Sequence, residues 1–150
     1  MGLVSIVGSL VFVGLEVRQN SVATRASANA TVADAFRELN LTLASSPALA
    51  SAMAVSFDDP EKMSAEERVQ VLGLWRALFH TWSNGHRQWA NETLDEVLYQ
   101  SIVSEISTYK GNKDRRSQAM QWAWESERFV FNSEFQLFVD EIIGAGAAAN

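Results

Sequence analysis

The chain opens on a run without charge. Met1 to Leu15 reads MGLVSIVGSLVFVGL, and the first charged side chain is Glu16. From Met1 to Val17, ten residues are Leu, Val, Ile or Phe. As a helix this segment is roughly 25 Å long at 1.5 Å per residue. A bilayer core of about 30 Å wants about 20 residues and accepts as few as about 17. The segment therefore reads as a membrane span or half-span; the alternatives are a buried core helix and a signal peptide. A signal peptide fits least, since no basic stretch precedes the apolar run.

Within that run the polar and small positions are not scattered. Gly2, Ser5, Ser9, Glu16 and Asn20 fall within about 60° of one another on a helical wheel. Ser5 and Ser9 form a small-xxx-small pair, which lets a second helix approach closely inside a membrane. An acidic group such as Glu16 on that stripe prefers a partner to lipid. The five residues are the candidate helix-contact face, for a second copy of the chain or another membrane subunit.

Residues 18–45 contain no helix breaker, so the first helix is predicted to continue through them. Val22, Val32, Phe36, Leu39 and Leu43 give it an apolar stripe at spacings of three and four. Ser46 and Pro47 suit an N-cap and first helical position, opening a short helix to about Ala54. Phe57 to Met63 reads as a loop. Ser64-Ala65-Glu66-Glu67 is a capping box that opens a helix to about Ala90. Thr93-Leu94-Asp95-Glu96 looks like a second such box, for a helix ending near Lys110 at Gly111. Asn112 is the expected cap of the next helix, to about Arg128. Ser133 to Gln136 opens the last, which stops at Ile143 with Gly144 beyond it.

The expected fold is all-α: a long N-terminal helix, transmembrane in this reading, continuing into a small bundle of about five further helices. Residues 1–17 form the apolar membrane or packing helix, 18–143 the bundle, and 144–150 a flexible tail.

Aromatic positions sharpen the bundle. Trp75, Trp82 and Trp89 recur every seventh residue and, with Phe79, make one aromatic face. Trp122, Trp124, Phe129, Phe131, Phe135 and Phe138 form a second cluster late in the chain. Core packing between the two explains both, because each buried ring removes about 150 Å² or more from water. Rings at a headgroup layer, or lining a pocket for an apolar molecule, are the functional alternatives.

Composition then excludes more than it suggests. There is no cysteine, so disulfides, thiolate metal sites and cysteine nucleophiles are out. The net charge is −6, with Lys110, Lys113, Arg115 and Arg116 as the one dense basic run, which does not suit a nucleic-acid partner. His80 and His86 lie about 240° apart on a helix and share no face. No zinc, haem, di-iron, dinucleotide or phosphate-loop motif occurs. No catalytic residue, metal or cofactor is assigned, and an enzyme is the less favoured reading.

Leu15 to Ala26, LEVRQNSVATRA, resembles a recurrent bacterial pattern: an apolar N-terminal helix, then Arg-Gln-Asn-Thr/Ser, then a small helical domain. Arg18-Gln19-Asn20 carries the resemblance. FRELNLTLASSPALA, LWRALFHTWSN, LDEVLYQ and FQLFVDEII are similar to the same group. The group is that of uncharacterised bacterial membrane-anchored helical proteins. Its members usually have more residues before the apolar segment, which implies a late start here. The resemblance implies a membrane-bound protein and lends no catalytic residues.

The functional expectation is a non-catalytic accessory or scaffold subunit, in contact with membrane lipid and with itself or another membrane protein. Arg18 and Arg25 follow the apolar segment. By the positive-inside rule they place the domain on the cytoplasmic side of a bacterial inner membrane. The alternative is a soluble bundle that binds an apolar small molecule in an aromatic-lined pocket.

Overall fold

A computed structural model of the chain describes residues 2–144, with side chains from Phe12 onward except Asn112. These residues form six α-helices and no strand: α1 (Gly2–Ser45), α2 (Pro47–Asp58), α3 (Ala65–Ala90), α4 (Glu96–Ser107), α5 (Arg115–Glu127) and α6 (Ser133–Ile143). The expected 144–150 tail lies outside the described residues, apart from Gly144. Among the described residues no helix is long and apolar enough to cross a membrane. The transmembrane part of the sequence expectation thus has no support there.

The helix starts follow local chemistry. The Ser46 hydroxyl accepts from the Leu49 N–H with Pro47 at the first turn. Ser64 and Glu67 make the reciprocal capping box that opens α3. Two other boundaries differ from the sequence expectation. Asp95, not Thr93, caps α4, accepting from the Val97 N–H at 2.8 Å. The Thr93 hydroxyl instead donates back to the Gln88 carbonyl, closing the end of α3. Asp114, not Asn112, caps α5. Residues Lys110–Asn112 make a tight 3-10 turn with Gly111 at φ 78°, a left-handed angle that no helix start can hold. Asn132 caps α6, which opens at Ser133 as the sequence indicates. The third difference is length. α2 runs on to Asp58, taking in Phe57, which the sequence reading had placed in a loop.

α3 is the centre of the bundle. α1, α2, α4 and α5 all pack on it directly, and α6 reaches it where Phe138 stacks on His86. The core holds Val32, Val71, Phe79, Trp82, Ile102, Ile106, Met120, Trp124, Phe135 and Val139, all essentially inaccessible to water. Phe79 is the hub. Its ring centroid lies 5.2 Å from that of Trp124 on α5 and 6.3 Å from that of Phe131.

α1 divides in two. Its C-terminal half packs on α3 and α2 through Val32, Phe36 and Leu43. Every described residue from Phe12 to Ser27 is exposed. Its attachment to the bundle begins with the Arg25 guanidinium on the Glu92 carbonyl and the Asn29 side chain on the Asp95 N–H. Val22, assigned by spacing to the core stripe, belongs to the exposed half.

Gly85 shows why a glycine sits in mid-helix. Asn84-Gly85 resembles a hairpin signal in sequence, yet it lies in the continuous α3. A Cβ at Gly85 would run into Cδ1 of Ile102, the residue that seats α4 on α3. Gly85→Ala gains about 1 kcal/mol of helix propensity but overpacks the crossing, at a cost of about 1 to 3 kcal/mol. The expected net result is a lower Tm. Ile102→Val removes the offending methyl, so the double variant should be more stable than the sum of the single changes. Strict additivity in a thermal double-mutant cycle would show that the crossing is not tight at Gly85.

Candidate functional site

Two features of the structure have no purely structural explanation: the exposed start of α1 and a cavity beneath its second half.

Phe12, Val13, Leu15 and Val17 are all more than half exposed, Phe12 at 68%. At 100° per residue these four spread over roughly 200° of the helix circumference, with the exposed Glu16 inside that arc. Gly14 falls in the remainder. Beyond Val17 the surface turns polar at Arg18, Gln19, Asn20 and Ser21. Of the proposed helix-contact residues, Glu16 and Asn20 are exposed, while the side chains of Gly2, Ser5 and Ser9 lie outside the described residues.

The aromatic face of α3 is split by the tertiary packing. Trp75, Phe79 and Trp82 are buried; Trp89, at 38% exposure, lies at the edge of the bundle and stacks on Tyr99 with centroids 4.2 Å apart. Three indole N–H groups end on carboxylates. Trp82 donates to Glu105 at 2.9 Å, Trp89 to Glu96 at 2.9 Å and Trp124 to Asp140 at 2.8 Å. Of the other two, Trp122 is half-buried and Trp75 is buried. Trp75 is 4% exposed, and its Nε1 has no hydrogen-bond partner among the described residues.

Trp75 lines a cavity of about 230 Å³ between the second half of α1 and helices α2 to α5. Phe36, Leu43, Met53, Phe57, Leu74 and Leu78 supply apolar walls. Asn40, Glu105, Tyr109 and Arg116 supply the polar ones. Burial pushes the Glu105 carboxyl above the usual glutamate range, against the Trp82 hydrogen bond and the positive charge of Arg116. Burial likewise raises the Tyr109 phenol, with Arg116 again opposing it. Sequence reasoning named Trp75 but missed Glu105, Tyr109 and Arg116. They come from α4, the turn after it and α5, and no local pattern links them.

The remaining candidates for chemistry are used up structurally. Glu127 is buried and paired with Arg76 at 2.5 Å. Asp140 holds both the Trp124 indole and the Arg128 guanidinium. The Ser126 hydroxyl donates to the Trp122 carbonyl. His86 lies against the Tyr99 hydroxyl at 3.1 Å, and burial lowers its pKa. Among the described residues, no group of three or more His, Asp or Glu side chains could hold a metal.

Glu105 yields a pH prediction. Its raised folded pKa means the folded state holds a proton that the unfolded chain has already released. Stability from this group is fully present below the ordinary glutamate value of about 4.3. It is lost as pH rises through the folded pKa. Glu105→Gln keeps an oxygen for Trp82 without the charge. Its Tm should exceed that of the parent at pH 7, and the difference should shrink as the pH is lowered to 4. Thermal melts across that range check the sign; a variant less stable at pH 7 would mean that Arg116 outweighs burial.

Compared with protein-family models, with curated proteins and with solved structures, the chain finds no match.

Proposed function

We propose that this protein is a non-catalytic, membrane-associated accessory subunit. In this reading the start of α1 enters the apolar layer of a bilayer beside partner helices, and the bundle is carried outside the layer on the same helix. The observation that supports it is the exposure of Phe12, Val13, Leu15 and Val17 around most of the helix, with nothing from the bundle covering them. Four exposed apolar residues spread over about 200° of the helix and interrupted by Glu16 suit the boundary between an apolar layer and its headgroups.

Magnitudes place the boundary. On an insertion scale the four residues together favour transfer by roughly 2 kcal/mol, while an acidic side chain opposes it by about 3 kcal/mol at a span's centre. Glu16 therefore belongs at the headgroup level, together with Arg18. The acidic bundle, which an anionic surface repels, is then held off by residues 18–24, about 10 Å of helix. Arg18 and Arg25 favour the cytoplasmic face of a bacterial inner membrane. The stripe of Gly2, Ser5, Ser9, Glu16 and Asn20 is the contact to a second copy or another membrane subunit.

Flotation with vesicles of phosphatidylcholine and phosphatidylglycerol tests this reading. The full chain should rise with the lipid. The double variant Phe12→Asp, Leu15→Asp should stay at the bottom of the gradient with unchanged helicity. A parent chain that remains at the bottom as a monomer would overturn the proposal.

A further inference from the structure

The basic run from Lys110 to Arg116 is the one concentration of positive charge in a chain of net charge −6, and the bundle uses only part of it. Arg115 pairs with Asp58. Asp114, the acid inside the run, turns its carboxylate to the Ser117 N–H and hydroxyl, at 2.8 and 3.0 Å. Lys110, Lys113 and Arg116 make no ion pair among the described residues. Arg116 is exposed, and its side chain reaches the cavity under α1. Its guanidinium carbon lies 6.0 Å from the ring centroid of Phe57, a wall residue. Its charge also acts on Glu105 and Tyr109, two more residues of the wall. An unpaired cation thus stands at the rim of a half-open space with mainly apolar walls. Small-molecule sites have this composition, apolar walls with a few polar groups that fix orientation. Glu105 is the one acid in the wall. Its Oε2 accepts from the Trp82 indole at 2.9 Å, and burial favours its uncharged form.

We infer that the cavity binds a small apolar carboxylate, its hydrocarbon body among Phe36, Leu43, Met53 and Leu78 and its carboxylate on the Arg116 guanidinium. A guanidinium meets a carboxylate with two parallel N–H donors, a match that a neutral head or an amine does not offer. An apolar cavity of about 150 Å³ takes one benzene, so 230 Å³ takes about nine non-hydrogen atoms by the same ratio. A medium-chain fatty acid with its head at the rim is of that size. The ligand is drawn from solution, not from a bilayer. Phe36 follows Val17 by nineteen residues, about 28 Å along α1, so the cavity lies far from the apolar start of the helix. The inference does not rest on that start entering a membrane.

The test titrates sodium octanoate, 1-octanol and octylammonium chloride into the full chain by calorimetry at pH 7, each below the concentration at which it aggregates. Octanoate should bind saturably and about fivefold more tightly than octanol, the upper end of what an exposed ion pair contributes. Arg116→Gln, a change at the surface, should remove that preference and leave octanol binding as it was. The double variant Phe12→Asp, Leu15→Asp should bind octanoate as the parent does. Leu78→Trp, which fills the cavity, should abolish binding; Leu43→Trp makes the same test from the α1 side if that chain does not fold. No saturable binding of octanoate by the parent would overturn the site. So would its loss in the double variant, because the start of α1 would then be the binder. Octylammonium binding more tightly than octanoate would overturn the charge assignment, with Glu105 outweighing Arg116. Equal loss of octanoate and octanol in Arg116→Gln would overturn the role of Arg116 in holding the carboxylate.

Discussion

The burial of one side of α3 is the constraint on which the rest of this molecule depends. Phe79 and Trp82 are fully inaccessible to water, and Trp75 nearly so. Truncating a ring of this kind in a core typically removes about 3 to 5 kcal/mol, a large part of the stability of a domain this size. Each other helix supplies something to cover that side. α5 and the turn after it bring Trp124 and Phe131 against Phe79. α4 brings Ile102 over Gly85 and the Glu105 carboxylate to the Trp82 indole. α2 and the second half of α1 close the remaining side. The polar tips of the rings limit how this can be done, since an indole N–H taken out of water needs an acceptor. Glu96, Glu105 and Asp140 meet that need for three of them.

The same requirement makes the cavity informative. Glu105 is drawn into the core because Trp82 needs it, and its burial raises its pKa. Arg116 offsets part of that burial and stands beside Tyr109. Polar groups thus gather around a space that α1 covers but does not fill, since Phe36, Leu39 and Leu43 are only partly buried there. The covering helix is also the helix whose far end lies free of the bundle. The start of α1 and the segment that covers the cavity belong to one continuous helix. α1 is 44 residues without interruption, about 66 Å at 1.5 Å per residue.

Much of the architecture was legible in the residues because helix formation is governed by neighbours in sequence. The all-α class, the long first helix and the bundle of five more follow from few breakers and apolar spacings. Ser46, Ser64 and Gly144 mark real boundaries because capping is a contact over three or four residues. Where two such signals compete, sequence does not decide. Thr93 and Asp95 can each cap α4, and the backbone path out of α3, with Glu92 in a left-handed conformation, gives the role to Asp95. Gly111 similarly moves the start of α5 from Asn112 to Asp114.

By itself, then, the sequence determined the helical class, the approximate helix count, the apolar character of the first seventeen residues and the want of catalytic and metal motifs. Each depends on composition or on spacings within a few turns. Only the tertiary structure decided which apolar residues are covered. It left Val22 exposed, set Trp89 at the edge, and separated Trp75 from the kind of acceptor that Trp82, Trp89 and Trp124 obtain. It also brought Glu105, Tyr109 and Arg116 from later helices to the cavity beneath α1. The reason is physical: burial and hydrogen-bond partnership depend on what other helices bring, and those contacts join residues dozens of positions apart.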